Sequence, residues 1–356
     1  MELICENQSL WDYLRETDKN IYLYGLGLGT EKILKVCENR GIVVKNVLIS
    51  DKQRKIRAEY TEKYDILKIS KALEDPKAII LLGFGTQKEE VLEYFYYLDD
   101  NFEVYAPDVP VFGDGVFDLD YFNENRQNFE RAYSLLADDI SRETFKATLN
   151  YKISGKVKYL RNFTQHKDEM FKKVLKIHQN EHYVDLGAYT GDTIREVMQY
   201  GGYETVTAFE PDVKNYTKMQ TFIETEQLSN INALNIGVWS DEDVLKFAGK
   251  SSRNSSLMQS FENVVEVPVN SVDNIMGDKP VTLIKMDVEG AERQAIEGAR
   301  NTIKHNKPRL NIAIYHRNED LFDIIFRLYE ICPEYKFYVR HHEYIPSWDT
   351  NLYATI

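Results

Sequence analysis

The stretch His182–Thr193, HYVDLGAYTGDT, decides the fold. An alternating apolar run reaches an acid, Asp185, and is followed by Gly187 and Gly191 before a helical pattern begins. Strand, tight glycine turn and helix N-terminus in that order make a site for a nucleotide-like ligand. The turn lets the backbone approach closely, and the helix end presents unpaired N–H groups.

Toward the C-terminus, strands and helices alternate. TVTAFE is a second strand ending on Glu210, and INALNIGVW a third ending on Trp239. A Ser-rich loop, SSRNSSLM (251–258), and the run VVEVPVNSVDNIM form an insertion of short strands. VTLIKMD, ending on Asp287, is the fourth strand. The helix EGAERQAIEGARNTI follows it, with Ala291, Ala295, Ala299 and Ile303 on a narrow face suited to close sheet packing. RLNIAIYH, ending on His316, is the fifth strand; after one more helix, YKFYVRHHE and NLYATI close the chain as an antiparallel hairpin at the sheet edge.

Toward the N-terminus, IYLYGLGLGT, GIVVKNVLISD, KAIILLGFGTQKEEVLEYF and NFEVYAPD predict a smaller Rossmann-like βαβ unit over 1–115. Its turns resemble one another, Gly27-Leu28-Gly29-Thr30 beside Gly83-Phe84-Gly85-Thr86. The spacing Gly25, Gly27, Gly29 lacks the third glycine of a dinucleotide fingerprint, and Asp51 comes late for a ribose acid, so a structural or oligomer-forming role is preferred to a cofactor site. Paired turns of N–H groups still suit an anion such as phosphate. A helical connector is expected over 116–160, carried by Phe122, Arg126, Phe129, Tyr133 and Leu136 and by a helix with Ser141 as N-cap. It is placed to cover the next domain or to pack on a second copy of the chain, and the main domain spans 161–356.

With 57 acids against 44 bases the formal charge is −13, which argues against nucleic acid or an anionic membrane surface as partner. Three scattered cysteines, Cys5, Cys37 and Cys332, suggest neither a disulfide framework nor a zinc knuckle. With no signal-like segment and no apolar run of membrane-spanning length, a cytoplasmic setting is expected.

The segments VDLGAYTGDT, AFEPD, IGVWSDED and LIKMDVEGAE, in that order, resemble the FkbM family of S-adenosylmethionine-dependent methyltransferases; Asp287–Glu292, DVEGAE, is the most distinctive. The resemblance covers roughly residues 160–356. It implies a class I methyltransferase fold: a seven-stranded, mostly parallel sheet with an antiparallel edge hairpin. It also implies S-adenosylmethionine as cofactor and a hydroxyl acceptor on a small molecule or sugar. Two other readings stay open, a nucleotide-sugar or dinucleotide enzyme using the N-terminal unit, and a non-catalytic binding or assembly protein that keeps the fold.

The donor combines a ribose diol, a carboxylate and a sulfonium. Gly187, Ala188 and Gly191 are expected to bring backbone N–H groups to its methionine part, with the charge of Asp185 near its ammonium or sulfonium. Glu210 is expected to accept from both ribose hydroxyls. Asn235, Gly237 and Val238 are candidates to flank the adenine, where Trp239 is able to stack. Asp287, Glu289 and His316 are the candidate bases for the acceptor hydroxyl, and Lys285, on the same strand face as Asp287, is expected to steady an oxyanion. Glu292 is read as a first-turn acid favoured by the helix dipole. The same three candidate bases offer a divalent ion a ligand set, although metal-free catalysis is preferred. His341 and His342 alternate on the penultimate strand and are expected at the surface.

Overall fold

The computed structural model describes residues 2–113, 115–248 and 264–356. The Ser-rich loop 251–258 lies outside them. Its strands, in chain order, are β1 Asn20–Tyr24, β2 Val44–Ile49, β3 Ile66–Lys68, β4 Ala78–Leu82, β5 Glu103–Tyr105, β6 His182–Leu186, β7 Thr205–Phe209, β8 Ile231–Leu234, β9 Gly237–Val238, β10 Asp243–Ala248, β11 Val264–Asn270, β12 Leu283–Met286, β13 Arg309–Ala313, β14 Lys336–His341 and β15 Thr350–Thr355. They build a parallel five-stranded sheet ordered β3-β2-β1-β4-β5, a seven-stranded sheet ordered β14-β15-β13-β12-β6-β7-β8, and a small sheet ordered β10-β11-β9.

The central strands are apolar on both faces because helices cover both sides. In β4 (AIILL) and β6 (HYVDL) every residue after the first is buried. β14 and β15 are antiparallel, and β15 is inserted between β14 and β13, so the hairpin closes the edge with β15 wholly buried. The helix Asp320–Ile331 covers this side through Leu321, Phe322, Ile324, Ile325, Leu328 and Ile331, a three- and four-residue repeat.

Several sequence expectations shift. INALNIGVW is not one strand: β8 ends at Leu234, and Gly237–Val238 crosses to the small sheet beside β11. The helix expected over 289–303 breaks into Glu292–Gly298 and Arg300–Asn306 with Ala299 at the joint, although Ala295, Ala299 and Ile303 are buried together. Strand β3 adds an edge to the first sheet that the pattern did not announce.

The connector is helical, at Leu119–Glu124, Arg126–Ser134 and Asp139–Ser154. The last of these is capped by Asp138, not Ser141: the Asp138 side chain accepts the Ser141 N–H at 2.7 Å, and Arg340 adds an ion pair to the same carboxylate at 2.6 Å. From Ala147 to Ser154 every residue is buried, because the helix lies between the two larger sheets. Lys152 and Asp108 meet there in a buried ion pair of 2.6 Å. Among the described residues no helix is long and apolar enough to cross a membrane.

Candidate functional site

The turn after β6 is close-packed before it is anything else. Gly187 has φ +82°, and a Cβ there would stand 2.0 Å from the carbonyl oxygen of Asp287, so the turn lies directly against the end of β12. The N–H groups of Gly187 and Ala188 donate to the Phe209 carbonyl at 3.0 and 2.9 Å, and that of Gly191 to the Ala188 carbonyl at 2.8 Å. The expected methionine cradle is thereby corrected, because these three N–H groups are taken by the chain's own carbonyls.

Asp185 is fully enclosed, so it does not face a ligand as expected. It accepts from the Thr193 hydroxyl, and the Lys285 ammonium stands 3.6 Å from its other oxygen. Burial pushes its pKa up, against the pull of Lys285 and Thr193. Lys285 also donates to the Gly187 carbonyl at 2.8 Å. Burial opposes its charge, but Asp185 and Asp287 outweigh that and hold it protonated. Its place is under the glycine turn, tying β12 to the turn.

Glu210 follows β7 at the same sheet edge and is buried. One carboxylate oxygen accepts the Tyr189 N–H at 2.8 Å and the other the Asp212 N–H at 2.9 Å. Burial raises its pKa to about 7 against those two donors. Asn235 donates to the carbonyls of Glu210 and Pro211 at 2.9 and 3.2 Å and so fixes the loop that carries Glu210. Val238 belongs to the core and Gly237 is buried against Val269, while Trp239 is half-buried.

One strand to the other side of β6, the acids of DVEGAE meet the end of β13. His316, 1% exposed, has Nε2 at 3.4 Å from Asp287 Oδ1 and 3.7 Å from Glu289 Oε2, and Nδ1 at 2.8 Å from Glu292 Oε1. Burial works against its charge, but Glu292, Asp287 and Glu289 raise its pKa to about 10. Burial lifts Glu289 to about 7 although His316 opposes this. The Tyr315 hydroxyl lies 3.3 Å from both Asp287 oxygens. Asp287, Glu289 and His316 are therefore together, as expected from their strand ends. Glu292 turns out to be the buried partner of His316, accepting also from the Val288 N–H at 3.1 Å, not merely an acid at a helix end. Asp287, Glu292 and His316 each offer a ligand atom within 4.8 Å of the others.

The N-terminal sheet reaches this site. The Phe112 N–H donates to the His316 carbonyl at 3.0 Å, and the Arg317 guanidinium lies 3.8 Å over the Phe112 ring. Lys32 donates to the carbonyls of Pro110 and Val111 at 2.9 and 2.7 Å; burial lowers its pKa while the charge of Glu289 opposes this. Thr86 and Ile345 exchange backbone hydrogen bonds of 2.8 and 3.1 Å. Tyr315, Lys32 and Phe112 escaped the sequence reading, as did the pairing of Glu292 with His316. Only Tyr315 carried a signal, its place beside His316 at a strand end. His341 and His342 are buried, not at the surface, with pKa values lowered by burial.

In the first unit, Gly29 packs on Gly83, where a Cβ would stand 2.5 Å from the Gly83 carbonyl oxygen. Asp51 accepts the Ser70 hydroxyl at 2.7 Å. Both glycine turns are thus used in packing against each other.

Residues 185–344 match the family model described as the methyltransferase FkbM domain. Among solved structures, methyltransferase FkbM from Methylobacillus flagellatus KT is similar at TM-score 0.71 and 23% identity, over 94% of this chain and 90% of that one. That likeness of fold extends over nearly the whole chain. A putative methyltransferase from Streptococcus mutans in complex with SAH is similar at TM-score 0.35 and 11% identity, over 53% of this chain and 97% of its own. Aeropyrum pernix fibrillarin with natively bound S-adenosyl-L-methionine is similar at TM-score 0.33 and 11% identity, over 51% and 68%. The last two likenesses are too slight to argue from. No curated protein matches the chain.

Proposed function

Since this chain carries the methyltransferase domain of the FkbM family, we propose that it moves a methyl group from S-adenosylmethionine to a hydroxyl oxygen of a small molecule or sugar. The observation that carries this reading is the placement of two acid centres on one sheet edge. Glu210 after β7 and the Asp287–Glu289–His316 cluster after β12 and β13 flank the turn after β6. Two strand spacings separate the ends of β7 and β12, about 10 Å, which leaves the donor's place over the turn.

Residues of this chain fit that donor. Glu210 has a carboxylate oriented by two backbone N–H groups, and each oxygen keeps a lone pair for a ribose hydroxyl. The bound donor supplies an electrophilic methyl on a sulfonium. On the acceptor side, Asp287 and Glu289 are partly exposed carboxylates beside a buried His316. His316, held protonated by its acids, is not the base; it fixes the two carboxylates, and one of these takes the hydroxyl proton. Phe112 and Lys32 wall the acceptor side from the N-terminal sheet. Titration of the purified chain with S-adenosylhomocysteine is expected to give micromolar-scale binding. The Asp287→Ala variant is expected to keep that binding and lose turnover. No heat at millimolar ligand would refute the donor reading.

A further inference from the structure

We propose that the acid–histidine cluster is a divalent-cation site, in which His316 Nε2 and the carboxylates of Asp287 and Glu289 are the ligands and Glu292 holds the imidazole in place. The inference deepens the proposed oxygen methylation and rests on it for the ion's role, though not for the ion's binding.

The first observation is geometric. From Nε2 it is 3.4 Å to Asp287 Oδ1 and 3.7 Å to Glu289 Oε2. Ligand atoms about 2.1 Å from an ion stand about 3.0 Å apart in an octahedron and about 3.4 Å in a tetrahedron, so the His316–Asp287 pair already has ligand spacing and the Glu289 side chain has to swing toward it to complete the set. Of the three acids near the ring, Glu292 lies on the Nδ1 side, and the back of the ring cannot reach an ion in front of it. Glu292 Oε1 accepts from the N–H groups of Val288 and Gly290 at 3.1 and 3.5 Å, so it is an acceptor, and Nδ1 is the nitrogen that carries hydrogen. With Nδ1 hydrogen-bonded to Glu292, an ion entering between the carboxylates takes the place of the Nε2 proton, which gives the usual outer-shell arrangement of a metal-bound histidine.

The second observation is that Nε2, in a side chain 1% exposed, has no hydrogen-bond partner and is aimed between the two carboxylates. A buried polar atom left this way costs free energy unless something binds it. The third is charge. Among the described residues His316 is the one cation within ion-pair distance of Asp287, Glu289 and Glu292. The other nearby cations form their short contacts elsewhere and act on these acids only at longer range: Lys285 pairs with Asp185, Lys32 donates to the carbonyls of Pro110 and Val111, and Arg293 pairs with Glu319 and Asp323. Three acids around one imidazole leave an excess of negative charge that a divalent ion neutralises.

One imidazole and two carboxylates, with open positions toward solvent, suit Mn²⁺, Zn²⁺ or Mg²⁺. An acceptor hydroxyl bound to the ion becomes more acidic. Its O–H bond breaks with the proton passing to the Asp287 oxygen not bound to the ion. Its oxygen then forms the new C–O bond as the donor's S–CH3 bond breaks, leaving a neutral ether and a neutral thioether.

The test uses the full chain stripped of metal, titrated with Mn²⁺ and separately with Zn²⁺ by calorimetry, and with Mn²⁺ by electron paramagnetic resonance. One equivalent of at least one ion is expected to bind below about 1 mM. Asp287→Asn and Glu289→Gln are each expected to weaken it about tenfold or more, with S-adenosylhomocysteine affinity unchanged within about twofold. Retained donor binding also shows that the variants are folded; His316→Gln repeats the test at the third ligand. Absence of ion binding in a chain that binds S-adenosylhomocysteine overturns the metal site and leaves the methyltransferase reading standing. Ion binding undiminished in both acid variants also overturns it. A chain that binds the ion through these residues but not S-adenosylhomocysteine upholds the site and refutes the donor reading.

Discussion

Donor affinity is expected to fall with acid through Glu210 alone. Burial raises this carboxyl to about 7, while the N–H groups of Tyr189 and Asp212 hold it at 2.8 and 2.9 Å. Only the ionised form accepts from two backbone donors and two ribose hydroxyls together. If only that form binds, the apparent Kd is multiplied by one plus the protonated-to-ionised ratio. The factor is about 11 at pH 6 and about 1.1 at pH 8, a change of about tenfold or about 1.4 kcal/mol. The ligand's α-carboxyl, near 3.5, stays ionised over this range, and any contribution from its ammonium group is shared by the Glu210→Gln variant and is subtracted by the comparison. Calorimetric titration with S-adenosylhomocysteine, at matched ionic strength in buffers of two ionisation enthalpies, should show release of about 0.9 proton at pH 6 and about 0.1 at pH 8. The Glu210→Gln variant is expected to bind weakly and without this slope, because its amide N–H2 faces one of the two backbone N–H groups and leaves it unpaired, at about 1–3 kcal/mol. A Kd constant within about twofold from pH 6 to 8, or an equal slope in Glu210→Gln, would refute the assignment.

Two further outcomes concern stability. Gly187→Ala sets a Cβ 2.0 Å from the Asp287 carbonyl at φ +82°, whereas Gly41→Ala at φ +68° meets nothing within 4 Å. The first is expected to cost about 2–5 kcal/mol and the second about 1–2 kcal/mol in urea unfolding, and equal losses would show that the turn is not close-packed on β12. His341 is fully buried with its pKa lowered by burial from 6.5 to about 4. The unfolded chain therefore binds a proton that the folded one refuses, and stability drains as pH falls from about 6.5 toward 4, by about 2 kcal/mol at pH 5. The stability advantage of the wild type over His341→Gln should shrink by that amount between pH 7.5 and pH 5; a constant difference would contradict a buried neutral histidine.

Local periodicity made the strands, the glycine turn and the acids at strand ends legible, and with them the edge on which Glu210, Asp287 and His316 stand. What escaped is set by partners far along the chain. The Gly187 and Ala188 N–H groups are taken by Phe209, and Glu292 finds His316, pairings 22, 21 and 24 residues apart that no spacing rule reports. Asp138 displaces Ser141 as cap because its carboxylate also answers Arg340, about 200 residues away. His341 and His342 look exposed on an alternating strand, yet β14 is covered by the helix Asp139–Ser154 and by the segment around Thr164 and Gln165. Two-faced burial of a strand is decided by the layers above and below it, which leave no mark on its own alternation.

The N-terminal sheet also makes sense from packing. In a doubly wound sheet ligands bind at the carboxyl edge where strand order reverses, here between β1 and β4. In this chain that crevice is filled by protein, since Gly29 lies on Gly83 and the Gly25 turn meets Phe84. Beside it the edge is docked: Thr86 pairs with Ile345, and Gly85 lies against Tyr344 and Trp348. The segment leaving β5 then carries Phe112 to the His316 carbonyl while Lys32 gathers the carbonyls before it. Glycines that look like a cofactor fingerprint instead allow two carboxyl edges to be pressed together. The unit that a nucleotide would have occupied becomes a wall over the acids of the second sheet, so under the proposed methyl transfer a change in its shape is expected to alter which acceptor enters rather than how the donor is held.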